Sequence, residues 1–132
     1  MSSPENVEPE GFAGFIGVKW VSLDPDDARA TVEVADHHKQ PYGIVHGGVF
    51  ASLAESLCSA ATHVAVSGDG MVSMGQANDT SFLRPITGGT ITATARARSR
   101  GRTTWVWEVE ITDDESRLCA LVRMTIAVRP RR

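Results

Sequence analysis

The chain has 132 residues, 42% hydrophobic and 22% charged, with twelve Gly, six Pro, two Cys and only 6% aromatic residues. That length fits one domain, which buries roughly two thirds of its unfolded-chain surface without a disulfide scaffold and builds its core mainly from Val, Ile, Leu, Ala and Met. The net charge of −3 is uneven: eight acids face two bases over residues 1–36, whereas ten Arg outweigh five acids over 84–132. This polarity argues against a chain-wide nucleic-acid footprint and leaves room for a local anion site in the second half.

Other classes drop out on pattern. No apolar run approaches the ~18–20 residues that span a bilayer, so no membrane partner is expected. Met1–Glu10 carries three Glu, no base and no apolar stretch, which fits neither a signal nor a transit peptide and reads as a disordered tail before a domain over 11–132. Cys58 and Cys119 stand 61 residues apart without Cys-x-x-Cys spacing or clustered His. No metal site or redox pair is expected, and two small buried thiols fit a reducing cytoplasm. Gly-x-Gly-x-x-Gly, P-loop and Gly-x-Ser-x-Gly motifs are absent, as are internal repeats.

In chain order, Gly11–Gly17 reads as an irregular or short helical lead-in, Val18–Leu23 as a first strand and Asp24-Pro25-Asp26-Asp27 as a turn. Arg29–Ala35 alternates, with Ala30, Val32 and Val34 on one side and Arg29, Thr31 and Glu33 on the other. Asp36–Gly48 holds Pro41, three Gly, three His and Gln40, and reads as a loop. Val49–Val66 has the helical period, with Phe50, Leu53, Ala54, Leu57, Ala61, Val64 and Ala65 at steps of three and four. Period two then takes over. Val72–Leu83 is one strand with a bend at Gly75. Ile91, Ala93, Ala95 and Ala97 form one apolar face, and Trp105, Trp107, Val109 and Ile111 the next. Leu118, Ala120, Val122, Met124, Ile126 and Val128 form the last, after a hairpin turn at Asp113–Ser116. Strands, one long helix and four strands in meander imply an α+β architecture, a single helix buried against an antiparallel sheet.

Two features of residues 40–59 carry chemistry. Gly47 and Gly48 lie at the helix start, where backbone N–H groups lack intrahelical partners and the dipole favours developing negative charge, as an oxyanion site requires. Glu55 stands in an otherwise apolar and small-residue helix, within a polar stripe of Ser52, Glu55, Ser59 and Thr62 or His63. An ordinary helix would show such a stripe to solvent. A helix wrapped by the only sheet has little free surface, so the stripe faces a cleft or another subunit, where a carboxylate suits general-base work. Eight residues separate Gly47 from Glu55, about 12 Å along a helix axis. One carbonyl cannot easily touch both in one chain, whereas a twofold dimer with antiparallel helices brings Gly47 of one copy towards Glu55 of the other, twice over.

The run Gln40-x5-His46-Gly47-Gly48-x6-Glu55-x3-Ser59 resembles the catalytic segment of hotdog-fold acyl-CoA thioesterases. More narrowly, it resembles the branch of the Arthrobacter-type 4-hydroxybenzoyl-CoA thioesterase and its phenylacetate-pathway (PaaI-like) and enterobactin-pathway relatives. The likeness continues in Asn78-x3-Phe82-Leu83-Arg84-Pro85, in Gly101-Arg102 before a Trp-bearing strand and in Arg117-Leu118-Cys119-Ala120, and spans roughly residues 11–129. It implies a hotdog fold, an antiparallel sheet wrapped around one long central helix. It implies Glu55 as the catalytic carboxylate, either general base or nucleophile, and Gly47 N–H as donor to the thioester carbonyl. Gln40 and His46 would position the thioester, and Ser59 would orient water. Gly101, Arg102 and Thr103, with Arg84 as a second cationic candidate, would contact coenzyme A phosphates, coenzyme A being part of the substrate and no separate cofactor being needed. The resemblance also implies a site shared between subunits and a homotetramer built as a dimer of dimers.

The remaining His37, His38 and His63 read as loop or helix-surface residues. Phe12, Phe15 and Phe50 could line an acyl pocket or serve as core, and Trp105 and Trp107 read as packing. Two other functions stay open: a hotdog enoyl-thioester hydratase or dehydratase using His46 and Glu55, and a non-catalytic acyl-CoA-binding module. The acyl group, and whether it is carried on coenzyme A or a carrier protein, are not legible in the sequence.

Overall fold

The structure, a computed structural model, describes residues 8–132. Of the tail expected over residues 1–10, residues 1–7 lie outside the described residues and 8–10 have no regular structure. The lead-in is a short helix α1 (Gly11–Phe15), followed by β1 (Lys19–Asp24) and β2 (Asp27–Glu33). The long helix α2 (Gly47–Val66) separates these from β3 (Met71–Phe82), β4 (Thr90–Arg100), β5 (Thr104–Thr112) and β6 (Leu118–Pro130). All six strands form one antiparallel sheet in the order β1-β2-β4-β5-β6-β3. This is the expected hotdog arrangement of a sheet around one helix.

The last four strands are not a simple meander. Only β4, β5 and β6 follow one another; β3 pairs with β6 at the far edge, from Met71↔Pro130 to Phe82↔Ala120. The chain leaves α2 at its C-terminal end and returns along it as β3. The segment 83–89 then carries it across to β4, which pairs with β2 from Ala28↔Ala95 to Glu33↔Thr90.

Leu53, Leu57, Ala54, Cys58 and Ala61 of α2 are fully buried, against Ala28, Ala30 and Val32, Ile91 and Ala93, Trp107 and Ile111, and Met124 and Ile126 of the sheet. Each large apolar side chain in this layer contributes about 1.5–3 kcal/mol by leaving water. The sheet side is rich in Ala, which lets the curved strands approach the helix closely. Leu118, expected on the last apolar face, is instead exposed at the start of β6. The stretch Gly47–Asp69 is long and apolar enough by length and composition to cross a bilayer, contrary to expectation. Its apolar side is the one the sheet covers.

Two polar residues, one read as part of the polar stripe and one as a loop or helix-surface residue, belong to the interior. Thr62 is fully buried: its Oγ1 donates to Cys58 O at 2.7 Å and accepts from Trp107 Nε1 at 2.9 Å. His38 is buried, with Nδ1 accepting from Ala35 N–H at 2.9 Å and Nε2–H donating to Ile16 O at 2.8 Å. Both survive burial because their hydrogen bonds are satisfied inside the protein. Cys58 and Cys119 are free and buried.

Candidate active site

The N-terminal end of α2 is held by the loop before it. Lys39 bridges to Val45, His46 N–H donates to His38 O at 2.8 Å, and Val45 N–H donates to Ile86 O at 2.8 Å. Because His38 is itself pinned to Ile16, the loop is fixed to the end of the lead-in as well as to the segment that follows β3. The helix begins at Gly47, two residues before the apolar period, because His46 caps it: its Nδ1 accepts from Gly48 N–H at 2.8 Å. A Cβ at Gly48 would stand 2.9 Å from that nitrogen, so the cap depends on glycine there. With Nδ1 accepting, the neutral ring carries its proton on Nε2, which is left to donate outward.

Val49 N–H returns to His46 O at 2.9 Å, and none of the hydrogen bonds among the described residues uses Gly47 N–H. Gly47 therefore presents a free donor at the positive end of a twenty-residue helix,. Over it lies Phe82, the last residue of β3, whose ring stands 6.3 Å from that of Phe50. Phe50 itself is buried core, whereas Phe12 and Phe15 on α1 are 64% and 73% exposed.

The polar stripe runs along the edge strand. Ser52 and Ser59 are half-buried and Glu55 and His63 exposed, all on the side of α2 that faces β3 or solvent. Asn78 Nδ2 of β3 donates to Ala51 O at 3.0 Å and to Glu55 Oε1 at 3.3 Å, and Ser73 Oγ donates to Ser59 O at 2.9 Å. Beneath Glu55 the Cys58 thiol is pushed far above its ordinary value, first by burial and then by the Glu55 charge. It stays a neutral thiol at physiological pH.

The remaining sequence candidates divide between the two ends of the sheet. Gln40 is half-buried in the pinned loop, its N–H donating to Ile44 O at 2.9 Å. Arg84 follows β3 at the Gly47 end, where its N–H donates to Cys119 O, and its side chain is exposed. Gly101–Thr103 is the β4–β5 turn, with Gly101 N–H donating to Thr104 O and Thr103 O accepting from Val128 N–H. Val128 is level with Ser73 on β3, nine residues from Phe82, so Arg102 lies on the order of 25 Å from Gly47 in the same chain,. One chain thus groups Gln40, His46, Gly47, Phe82 and Arg84 at one end. It puts Glu55 and Ser59 about two and three helical turns on, and Arg102 at the far end,.

Arg98 and Arg100, two of the Arg residues of the basic second half, have partners. Arg98 pairs with Glu108 at 3.0 Å, and Arg100 pairs with Asp26 while its guanidinium sits 5.6 Å over the Trp105 ring. Arg84 and Arg102 form no ion pair among the described residues. No three His, Cys, Asp or Glu side chains among the described residues cluster as metal ligands would. Sequence reasoning gave no role to Asn78 or Phe82; both sat in a recognised motif, but only the pairing of β3 along α2 shows what they touch.

Residues 42–120, which contain the helix, its N-terminal turn and β3 to β5, match the model of the thioesterase superfamily. The chain belongs to that superfamily. The thioesterase is 32% identical over 124 residues to the 1,4-dihydroxy-2-naphthoyl-CoA hydrolase of Escherichia coli, covering 93% of this chain and 90% of that one. Among solved structures, a thioesterase of Haemophilus influenzae superposes with a TM-score of 0.92 at 29% identity, over 98% of this thioesterase and 92% of its counterpart. The PaaI protein of Escherichia coli superposes at 0.77 with 30% identity, over 87% and 81%.

Proposed function

We propose that this thioesterase hydrolyses acyl- or aryl-CoA thioesters to the free acid and coenzyme A at a site completed by two copies of the chain. The observation that carries the reading is the free Gly47 N–H and the Glu55 carboxylate on one helix, eight residues and about 12 Å apart,. Gly47 N–H donates to the developing oxyanion, and His46 Nε2–H and Gln40 hold the thioester. Glu55 of the second copy activates water or attacks the carbonyl directly, and Ser59, one turn beyond it, orients the water. The edge strand β3 supports the pairing of two copies, since its outer edge has no strand partner among the described residues,.

The balance of the reaction needs no metal or redox group: water supplies the hydroxyl, and the thiolate leaves and takes up the proton. Arg102 of a neighbouring copy and Arg84 are the cations proposed for the coenzyme A phosphates. The assembly proposed is a tetramer of two dimers, and the two buried thiols fit a cytoplasmic location,.

The named activity of the Escherichia coli relative, a hydrolase of an aromatic acyl-CoA, favours hydrolysis over hydration or simple binding and puts aryl-CoA thioesters first among substrates. The test is free-thiol release over a panel of aromatic and aliphatic acyl-CoAs and acyl-carrier-protein thioesters, with Glu55→Ala alongside. Turnover of aryl-CoA in the wild type, reduced at least about a hundredfold in Glu55→Ala with the oligomer intact, is the expected result. Loss of only a few-fold activity in that variant rejects Glu55 as the catalytic carboxylate.

A further inference from the structure

Strand β3 changes the face it turns to α2 part-way along, and the change brings two neutral residues onto Glu55. Side chains of a regular strand alternate, so residues three apart point to opposite faces. Yet Gly75 and Asn78 both meet Glu55. On one side of them Ser73 bonds Ser59 O, and on the other Phe82 covers Gly47. The alternation switches at a β-bulge between Gly75 and Ala77, where Gln76 is the extra residue,. Asp79 and Ser81 consequently open on the outer face of the sheet, beside Arg123 and Leu121.

The Glu55 carboxylate is met by β3 from two directions. Asn78 Nδ2 donates to Oε1 at 3.3 Å, and Thr80 Oγ1 donates to Asn78 Oδ1 at 2.6 Å, which settles the orientation of that amide. On the other side a Cβ at Gly75 would stand 2.9 Å from Oε2 and 3.2 Å from the carboxyl carbon. Gly75 is not in the left-handed region, so its backbone accepts any L-residue. What glycine provides here is space for the carboxylate. The groups of β3 on this face, Ser73, Gly75, Asn78, Thr80 and Phe82, are all uncharged; on α2 the titratable neighbour of Glu55 is the buried Cys58 thiol.

We propose that Asn78 and Gly75 are positioning residues for the Glu55 carboxylate, Asn78 by holding one oxygen and Gly75 by leaving room for the other, with Thr80 setting the Asn78 amide. The inference rests on the catalytic role proposed for Glu55. Gly75→Ala is its cleanest probe, because the three atoms nearest the added methyl all belong to the movable Glu55 side chain. The fold has little to lose, but the carboxylate must move by a fraction of an ångström or more.

The experiment is steady-state kinetics across pH on the full chain, with Gly75→Ala, Asn78→Ala, Asn78→Asp and Glu55→Ala, and thermal melts on each. Gly75→Ala is expected to melt with the wild type and to lose about tenfold or more in kcat with KM nearly unchanged, as does Asn78→Ala. Asn78→Asp sets a second carboxylate against Glu55, which disfavours its ionised form and moves the acidic limb of the kcat/KM profile to higher pH. A kcat within about twofold of wild type for Gly75→Ala and Asn78→Ala, with the Asn78→Asp limb unmoved, in an enzyme that Glu55→Ala inactivates, overturns the positioning role. An active Glu55→Ala variant overturns the catalytic assignment and this inference with it, and is told apart from the first result by that one variant.

Discussion

The Phe82 ring lies over Gly47 so closely that a Cβ at position 47 would stand 2.7 Å from Cε1 and 2.9 Å from Cζ. The contact ties the end of β3 to the first residue of α2 and roofs the free N–H. It also makes position 47 a place where one atom's role can be isolated. His46, just before it, has φ −64° and ψ 136°, the extended conformation a following proline requires,. Proline is accepted at the first helical position because that N–H has no intrahelical partner to lose.

Gly47→Ala and Gly47→Pro therefore both displace the Phe82 ring, but only proline deletes the donor. Gly47→Pro is expected to fall about 10²–10³-fold below Gly47→Ala in kcat, with the same helix content by circular dichroism. Equal kcat values for the two variants would mean that the Gly47 N–H does not hold the oxyanion.

The coenzyme A assignment turns on exposed cations, and the substrate can be cut to test it. Arg102 has no ion-pair partner among the described residues. Its replacement by Ala should raise KM for an acyl-CoA about three- to tenfold, while KM for the same acyl group on a short, phosphate-free thiol stays put. If both values rise together, Arg102 acts on the fold of the turn and not on phosphate. Arg84→Ala in the same series ranks the two cations.

The β5–β6 turn gives a prediction in pH. Asp113 accepts from Arg117 N–H at 2.9 Å, Glu115 N–H at 3.0 Å and the Arg117 guanidinium at 2.8 Å. These bonds, the Arg117 backbone N–H foremost, hold its carboxyl below the ordinary value of 3.8, against a partial loss of solvent that acts the other way. A lowered folded-state pKa means the stabilisation is complete above the unfolded value and is lost as pH falls through the folded one. Asp113→Asn should therefore melt below the wild type at neutral pH, and the gap should close in acid, below the ordinary carboxylate range. A gap unchanged across that titration would show that the carboxylate charge is not what the turn uses.

Periodicity made α2 legible, and with it the buried layer of Leu53, Leu57 and Ala61, because a single helix must show its apolar side to the sheet. Its start was two residues off, since Gly47 and Gly48 look like breakers until the His46 side chain is seen to accept from Gly48 N–H and cap the helix there. The place of β3 beside β6 was not legible, because strand order is set by how the chain crosses the sheet and leaves no local mark. Nor was the bulge at Gln76, which costs the strand one residue of alternation and thereby turns Asn78 towards Glu55. The burial of Thr62, read in the polar stripe, and of His38, read as a loop or helix-surface residue, was not legible because a pattern of polarity says nothing of whether a buried partner awaits each polar atom. Gly47 and Glu55 were read from the helix start and the polar stripe, and the other residues proposed for chemistry from the family resemblance. Their division between two ends of the chain's own sheet needed the fold.

That division is the central claim, and mixing two inactive variants tests it most directly. Glu55→Ala keeps a working Gly47, and Gly47→Pro keeps a working Glu55, so each homodimer has two broken sites. If every site takes Gly47 from one copy and Glu55 from the other, each mixed dimer regains one intact site. A subunit-exchanged equimolar mixture should then recover about a quarter of wild-type thiol release. Recovery no greater than the sum of the two separate variants, with exchange verified, would contradict a site shared between copies.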